Sequence, residues 1–592
     1  MMFKRRNQQL KHRNKGLVKK MAVVQQTIKL PQWRRRLLLV LVLLGFTALV
    51  GRAVFLQGMR HSFLQKQGDA RTTRAMTLYA HRGMITDRNG EPLAMSSPVE
   101  SIWANPADAE ASKEQLEKLA KLLEMKVEDI SAKLANQNRD FVYLKRRISP
   151  ELANHVMALH IPGVYMQREY KRFYSAGEVT AHLVGYTGSD EGGLEGFEYQ
   201  YQDWLSGKPG SRHVVKDRQG HIVDDLEAVK LPQDGHDLVV SIDSKIQYLA
   251  YRELAKAVEE NKAKAGAAIV LNAKTGEILA MVNFPSYNPN NPSKDIAKSR
   301  NRAIIDLFEP GSTMKPMTIA AALETGKYTP DTKVETAPGS YKIGTATIHD
   351  SHPNGLLSVA QVIQKSSNVG SAKIALSLEP QYMWGVFNQL GFGTITHVNF
   401  PGEAAGKLRN YKTWHQIEQA TISYGNGISV TLLQLARAYT VFANDGELRP
   451  VTLLKAKDVA VGQQVFSRAT ALSVRDMLET VVQAGGTAPK AQVMGYRVAG
   501  KTGTAHKPGI GGYQDKYIAS FVGMAPASNP KLIVAVMIDE PSNGQYYGGA
   551  VAAPVFSAVM GATLRMMGVP QDAPNNNVIL PPADLPEVKE AT

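Results

Sequence analysis

Leu37 to Gly51 is an uncharged, strongly apolar run, and the 36 residues ahead of it hold 12 Lys/Arg and no Asp/Glu. With Arg52 counted as a snorkelling residue the span extends to Leu56. Twenty helical residues reach about 30 Å, roughly one hydrocarbon core. The run therefore predicts a transmembrane anchor over residues 37–57. The positive-inside rule places residues 1–36 in the cytoplasm and the chain after Gln57 outside. A cleaved signal peptide is the rival reading, opposed by the long basic region and by the lack of a plain small-x-small site after the run. The formal net charge of +16 is mostly this tail, since the rest carries 57 Lys/Arg against 53 Asp/Glu. The basic clusters thus read as a cytoplasmic flank rather than a nucleic-acid arm.

At 592 residues the chain is too long for one core, and two or three domains are expected. Cysteine is absent, which excludes disulfides, a thiolate nucleophile and cysteine-ligated metal. Residues 58–230 mix strand-like pieces (Met76 to Tyr79, Ser101 to Trp103, Phe141 to Leu144) with helix-like ones such as Lys113 to Met125. They read as a non-catalytic α+β pedestal. His81, Arg82, Asp87 and Arg88 could be an acid-base cluster or the salt-bridged edges of a turn at Asn89-Gly90. The second reading is preferred. A catalytic domain is predicted over 231–570: a strand at Asp237 to Ile242, a helix at Ile246 to Asn261 and a hairpin over Ala267 to Asn283. Helices follow, including one from Leu432 to Ala443, and then strands at Arg497 to Ala505, Tyr517 to Met524 and Leu532 to Ile538. Strands at both ends with helices between them predict one antiparallel sheet beside a helical lobe, with a ligand cleft where they meet. After Pro570 the Pro/Asn/Asp/Glu composition predicts a disordered tail over 571–592.

Three short patterns carry the chemistry. Glu309-Pro310-Gly311-Ser312-Thr313-Met314-Lys315-Pro316 predicts a helix start near Ser312, which sets Ser312 and Lys315 on one face. A neutral amine there can take the serine proton, and burial with a second cation nearby lowers a lysine pKa as that requires. Ser366-Ser367-Asn368 follows, and then Lys501-Thr502-Gly503-Thr504. Each pattern has a decoy: Ser528 to Lys531 is broken by Pro530, Ser286-Tyr287-Asn288 lies in a Pro/Asn-rich loop, and Lys274-Thr275-Gly276 sits where a hairpin turns. Gly503, inside a strand, signals close approach of another backbone or a ligand.

The ordered triplet S-x-x-K, S-x-N, K-T-G resembles that of penicillin-binding proteins and class A β-lactamases. With His81 to Gly90, Gly192 to Glu198, Ser423 to Gly427 and Tyr546 to Pro554, the chain looks like a class B penicillin-binding protein, more narrowly a cell-division transpeptidase of the FtsI type. The resemblance runs from the membrane segment to about residue 570; Ser175, where the family often has Pro, departs from it locally. It implies a D-alanyl-D-alanine transpeptidase of peptidoglycan stem peptides, inhibited by β-lactams and needing no metal or organic cofactor. Ser312 would be the nucleophile and Lys315 its base, with Ser366 relaying the proton. Asn368 would hold the substrate amide, and Lys501 would add positive potential. Thr502 and Thr504 would take the terminal carboxylate, Gly503 would let the strand lie against the acyl group, and the backbone N–H groups of Ser312 and Thr504 would form the oxyanion hole. Implied partners are division-complex proteins, among them a lipid II-polymerising glycosyltransferase. An elongation-type transpeptidase, a D,D-carboxypeptidase, a serine β-lactamase and a non-catalytic β-lactam sensor or division scaffold remain as alternatives.

Overall fold

The computed structural model describes residues 31–60, 73–139, 141–216, 222–292, 295–509 and 511–579. The chain divides into two compact units, residues 1–74 with 213–226 and residues 75–212 with 227–592. In the first, helix α1 (Gln32–Val54) runs into one π turn, Phe55–Met59. The apolar stretch Gln32–Gly58 is long enough to cross a membrane, and none of it is buried. The helix starts at Gln32, five residues before Leu37, because Gln32 and Arg34 to Arg36 are good helix formers in the turns after Pro31. Most of the basic tail, residues 1–30, lies outside the described residues.

The pedestal part of the second unit is built on the long strand Pro92–Ala104, which pairs antiparallel with Val164–Tyr174 and with Val142–Ile148. Helices Lys113–Leu123, Val127–Leu134 and Pro150–Met157 contribute to a small core of Ile102, Leu119, Leu123, Ile130, Leu144, Val156 and Val164. The first helix is set by a capping box, Ser112 with Gln115, and stopped by Glu124 at φ 50°. Asp87 accepts from the backbone N–H groups of Asn89 (2.7 Å), Glu91 (2.9 Å) and Ser244 (3.1 Å) and from Ser244 Oγ (2.6 Å). Those bonds hold its carboxyl below the usual range although burial pushes it up. Asp87 is thus a turn brace. Arg82 goes elsewhere, donating with Arg172 to the fully buried Glu198, both at 2.7 Å. The blocks His81 to Gly90 and Gly192 to Glu198 therefore meet in one buried ion cluster.

One expected strand changes place. Of Asp237 to Ile242 only Leu238–Val239 is a strand, and it pairs in parallel with Ile85–Thr86 in the pedestal sheet. The catalytic sheet has five strands: β1 (Ala265–Asn272), β2 (Ile278–Phe284), β3 (Ala499–Gly509), β4 (Gly512–Ala525) and β5 (Leu532–Asp539). Their order is β2-β1-β5-β4-β3, antiparallel throughout, so the chain's distant end closes the sheet. Every residue of β5 is buried, as is β1 up to its last residue. A strand read as a continuous apolar run needs cover on both faces. One face takes helix α2 (Ser244–Glu260), capped by Asp243, and the late helix over Ala553–Met566; the helical lobe covers the other. Lobe and cleft wall are built from α3 (Lys315–Glu324), α4 (Asn368–Leu376) and α5 (Arg468–Val482), and α6 is Ala553–Met566. The helix expected over Leu432 to Ala443 breaks at Tyr439, whose hydroxyl donates to Thr313 O at 2.9 Å.

The tail is a further difference. Residues 571–579 are held down by hydrogen bonds through Asp572, Asn577 and Ile579, so the expected disorder does not begin at Pro570. Composition alone missed side chains that cap turns elsewhere. Residues 580–592 lie outside the described residues.

Candidate active site

Ser312 lies in a short 3-10 turn, Gly311–Met314, and α3 begins at Lys315 with Pro316 in its first turn. The tight turn still brings the two side chains together: Lys315 Nζ is 2.8 Å from Ser312 Oγ. The same nitrogen lies 2.6 Å from Ser366 O, 3.1 Å from Ser366 Oγ and 2.8 Å from Asn368 Oδ1. Lys501 reaches Ser366 Oγ from the opposite side at 2.9 Å. Both lysines are 0 % exposed. Two amines thus share one hydroxyl in the absence of bulk water, where holding both as cations costs most.

Ser366 adopts φ 59°, a left-handed backbone rarely used by a residue with a side chain. That geometry turns its carbonyl and hydroxyl together toward Lys315. The surroundings hold it. Ser367 caps α4 by accepting from Gly370 N (2.9 Å) and donates to Asp350 Oδ2 (2.6 Å), while Asp350 Oδ1 accepts from Val369 N at 2.9 Å. Asn368 Nδ2 donates to His349 O at 3.2 Å, which aims its oxygen at the lysine.

On β3, Thr502 Oγ1 is 2.8 Å from Thr487 Oγ1 and 3.1 Å from Lys501 Nζ, and Thr504 Oγ1 accepts from Gly548 N at 3.0 Å. A Cβ on Gly503 would stand 2.6 Å from Ser520 Oγ and 2.7 Å from Pro310 O, so only glycine lets the strand lie against the turn that carries Ser312. Gly425, at φ +89°, is needed on the lobe side, where a Cβ would come 2.2 Å from Gly311 O. Both walls of the cleft are therefore pressed onto the Ser312 turn.

All eight residues expected at the site, Ser312, Lys315, Ser366, Asn368, Lys501, Thr502, Gly503 and Thr504, lie in one connected cluster. The three decoys lie elsewhere. Sequence reading missed the supports: Asp350, Thr487 and a clamp on Glu309, which accepts from Gly427 N (2.8 Å) and from the Tyr513 hydroxyl (2.9 Å). Burial pushes the Glu309 carboxyl up, and those two bonds oppose it. Tyr424, its ring 6.0 Å from Lys315 Nζ, has a phenol pushed up by burial and then by Asp350 and Glu309. The signals for these residues were faint: Gly485-Gly486 before Thr487, and the glycines around Tyr424. Among the described residues no group of three His, Asp or Glu side chains is placed to hold a metal.

Comparisons with known proteins agree with this geometry. Residues 266–561 match the family model of the penicillin-binding protein transpeptidase domain, and residues 77–240 that of the penicillin-binding protein dimerisation domain. The chain is 44 % identical over 535 residues to a probable peptidoglycan D,D-transpeptidase PenA of Neisseria meningitidis, covering 89 % of this chain and 92 % of the relative. It is 42 % identical over 549 residues to the peptidoglycan D,D-transpeptidase FtsI of Escherichia coli K12, covering 91 % and 93 %. Among solved structures it resembles the transpeptidase domain of Burkholderia pseudomallei penicillin-binding protein 3, with 52 % identity and a TM-score of 0.53 over 57 % of this chain and 98 % of that one. A peptidoglycan synthetase of Bifidobacterium adolescentis matches more of it: 25 % identity and a TM-score of 0.68 over 86 % and 99 %.

Proposed function

Because this chain belongs to the class B penicillin-binding proteins and is a peptidoglycan D,D-transpeptidase, we propose that it crosslinks stem peptides at the division septum through an acyl-enzyme on Ser312. One observation carries the assignment: Lys315 Nζ stands 2.8 Å from Ser312 Oγ, buried and flanked by a second buried lysine across Ser366. Burial and like charge both favour the neutral amine that a base must be.

Ser312 Oγ attacks the carbonyl between the two D-alanines as its proton passes to Lys315. The negative charge that gathers on the carbonyl oxygen faces the backbone N–H groups of Ser312 and Thr504, a contribution of about 3 kcal/mol per donor. The amine of the departing D-alanine takes its proton from Ser366 Oγ, which Lys315 refills. Asn368 holds the amide of the donor peptide. Thr502 and Thr504, oriented by Thr487 and by Gly548 N, donate their hydroxyl protons to its terminal carboxylate beside Lys501. An amine of a second stem peptide then attacks the ester, its proton returns along the same path and Ser312 is freed. A β-lactam presents the same carbonyl and carboxylate and stops at the ester.

The basic tail and α1 support a single-pass anchor with a cytoplasmic N-terminus and the site on the outer face. We assign the pedestal up to about residue 240, because Leu238–Val239 lies in its sheet, and the chain from there to residue 579 to the transpeptidase domain. Division-complex proteins, including a lipid II-polymerising glycosyltransferase, are the partners this placement calls for. Incubation of the full-length protein with two distinguishable stem peptides tests the reaction. A crosslinked dimer with one D-alanine released per bond is expected; release of D-alanine with no dimer would mean hydrolysis instead.

A further inference from the structure

We infer that Asp572 and Asn577 are positioning residues for acyl transfer: the chain beyond α6 returns as a clasp on the two turns from which β3 and β5 start, and so fixes where Lys501 sits. The inference rests on the reading that Ser312 is the acylated nucleophile.

The clasp is made of side chains aimed at backbone. Asp572 Oδ1 accepts from Arg497 N at 2.7 Å, and its Oδ2 accepts from Ser528 N (3.2 Å) and Ser528 Oγ (2.7 Å). One carboxylate thus ties the entry of β3 to the turn between β4 and β5. Asn577 completes the grip, accepting from Gly495 N at 2.9 Å and donating to Val493 O (3.1 Å) and Tyr496 O (3.0 Å). Ile579 and Gln492 bond each other in both directions, at 2.7 and 3.0 Å. Arg497 is also held by its other groups: its guanidinium pairs with Glu479 of α5 at 2.7 and 3.0 Å, and its carbonyl accepts from Ala527 N at 2.8 Å.

Lys501 follows Arg497 by four residues, about 13 Å along an extended strand. Its nitrogen stands 2.9 Å from Ser366 Oγ, and through that hydroxyl it acts on Lys315. A drift of β3 by a fraction of an ångström weakens this coupling. Misplacement by about 1 Å can cost up to 100-fold in rate. Asp572 and Asn577 touch neither Ser312 nor Lys315, so their effect on the chemistry has to travel along β3. A retreating Lys501 leaves Lys315 easier to protonate, which moves the acidic limb of the acylation profile to higher pH.

The test uses the full-length protein in detergent, as Asp572→Ala, Asn577→Ala and a chain ended after Pro570. Labelling of Ser312 by a fluorescent penicillin is followed against pH, beside melting temperature. Acylation about fivefold slower, with the acidic limb displaced upward, is expected for Asp572→Ala and the shortened chain, with partial rescue in Asp572→Asn. A peptide of residues 571–592 added to the shortened chain should restore the limb. An unshifted limb in all three variants overturns the inference whatever happens to melting, because glue alone would lower stability and leave the profile in place. Failure of the unsubstituted protein to label at Ser312 would instead remove the reading beneath it.

Discussion

Lys-Thr-Gly occurs twice in this chain, and the two copies behave differently. Lys274-Thr275-Gly276 closes the β1–β2 hairpin, where Asn272 Oδ1 accepts from Lys274 N (3.0 Å) and Thr275 N (3.2 Å). Its lysine points away from the cleft and donates to Ala443 O at 2.8 Å. Lys501-Thr502-Gly503 lies within β3, its lysine wholly buried against Ser366 and its glycine against the Ser312 turn. Three letters specify neither role. What separates the copies is the element each sits on and the neighbours that tertiary structure brings.

That comparison can be broken by substitution. Lys501→Ala should cut the rate of Ser312 acylation about 10²–10³-fold, while Lys274→Ala should leave it within about twofold. A stopped-flow penicillin assay measures both, and equal losses would erase the distinction. The glycines should part along a different line. Gly503→Ala should slow acylation at least about tenfold, since its Cβ would push β3 off Pro310 and Ser520. Gly276→Ala, at φ +74° with its Cβ 1.9 Å from Pro450 O, should instead cost about 2 kcal/mol or more of stability and spare the chemistry of the protein that remains folded. Thermal melts beside active-site titration separate the two.

The smallest effect concerns pH. Burial, and then the charge of Lys531, pushes the Lys274 amine down to about 8. Between that value and the ordinary lysine range the unfolded chain binds a proton that the folded one does not. Stability therefore rises with pH across that window, and Lys274→Met should flatten the rise in a urea midpoint series.

Much of the site was legible because its chemistry depends on local spacing. Ser312 and Lys315 are three apart, Ser366 and Asn368 two apart, and the order of the three patterns is linear. The catalytic sheet was legible in part, because β1, β4 and β5 are apolar runs bounded by turn residues. Contacts across long separations were not. Arg82 with Glu198, Ser367 with Asp350 and Thr487 with Thr502 are each set by the fold, and no period in the sequence encodes them. The short strand Leu238–Val239 was assigned to the wrong sheet for the same reason, since its partner lies more than 150 residues earlier. Residues 571–579 were misread because a Pro-rich, charged composition marks disordered chains, while their Asp and Asn are also residues that cap turns.

A peptide map by mass spectrometry of the full-length protein after exposure to penicillin tests the central claim most directly. One adduct is expected, on the peptide that contains Ser312, and none on the Ser312→Ala protein. An adduct on any other residue, or one that persists after that substitution, would contradict acyl transfer at Ser312.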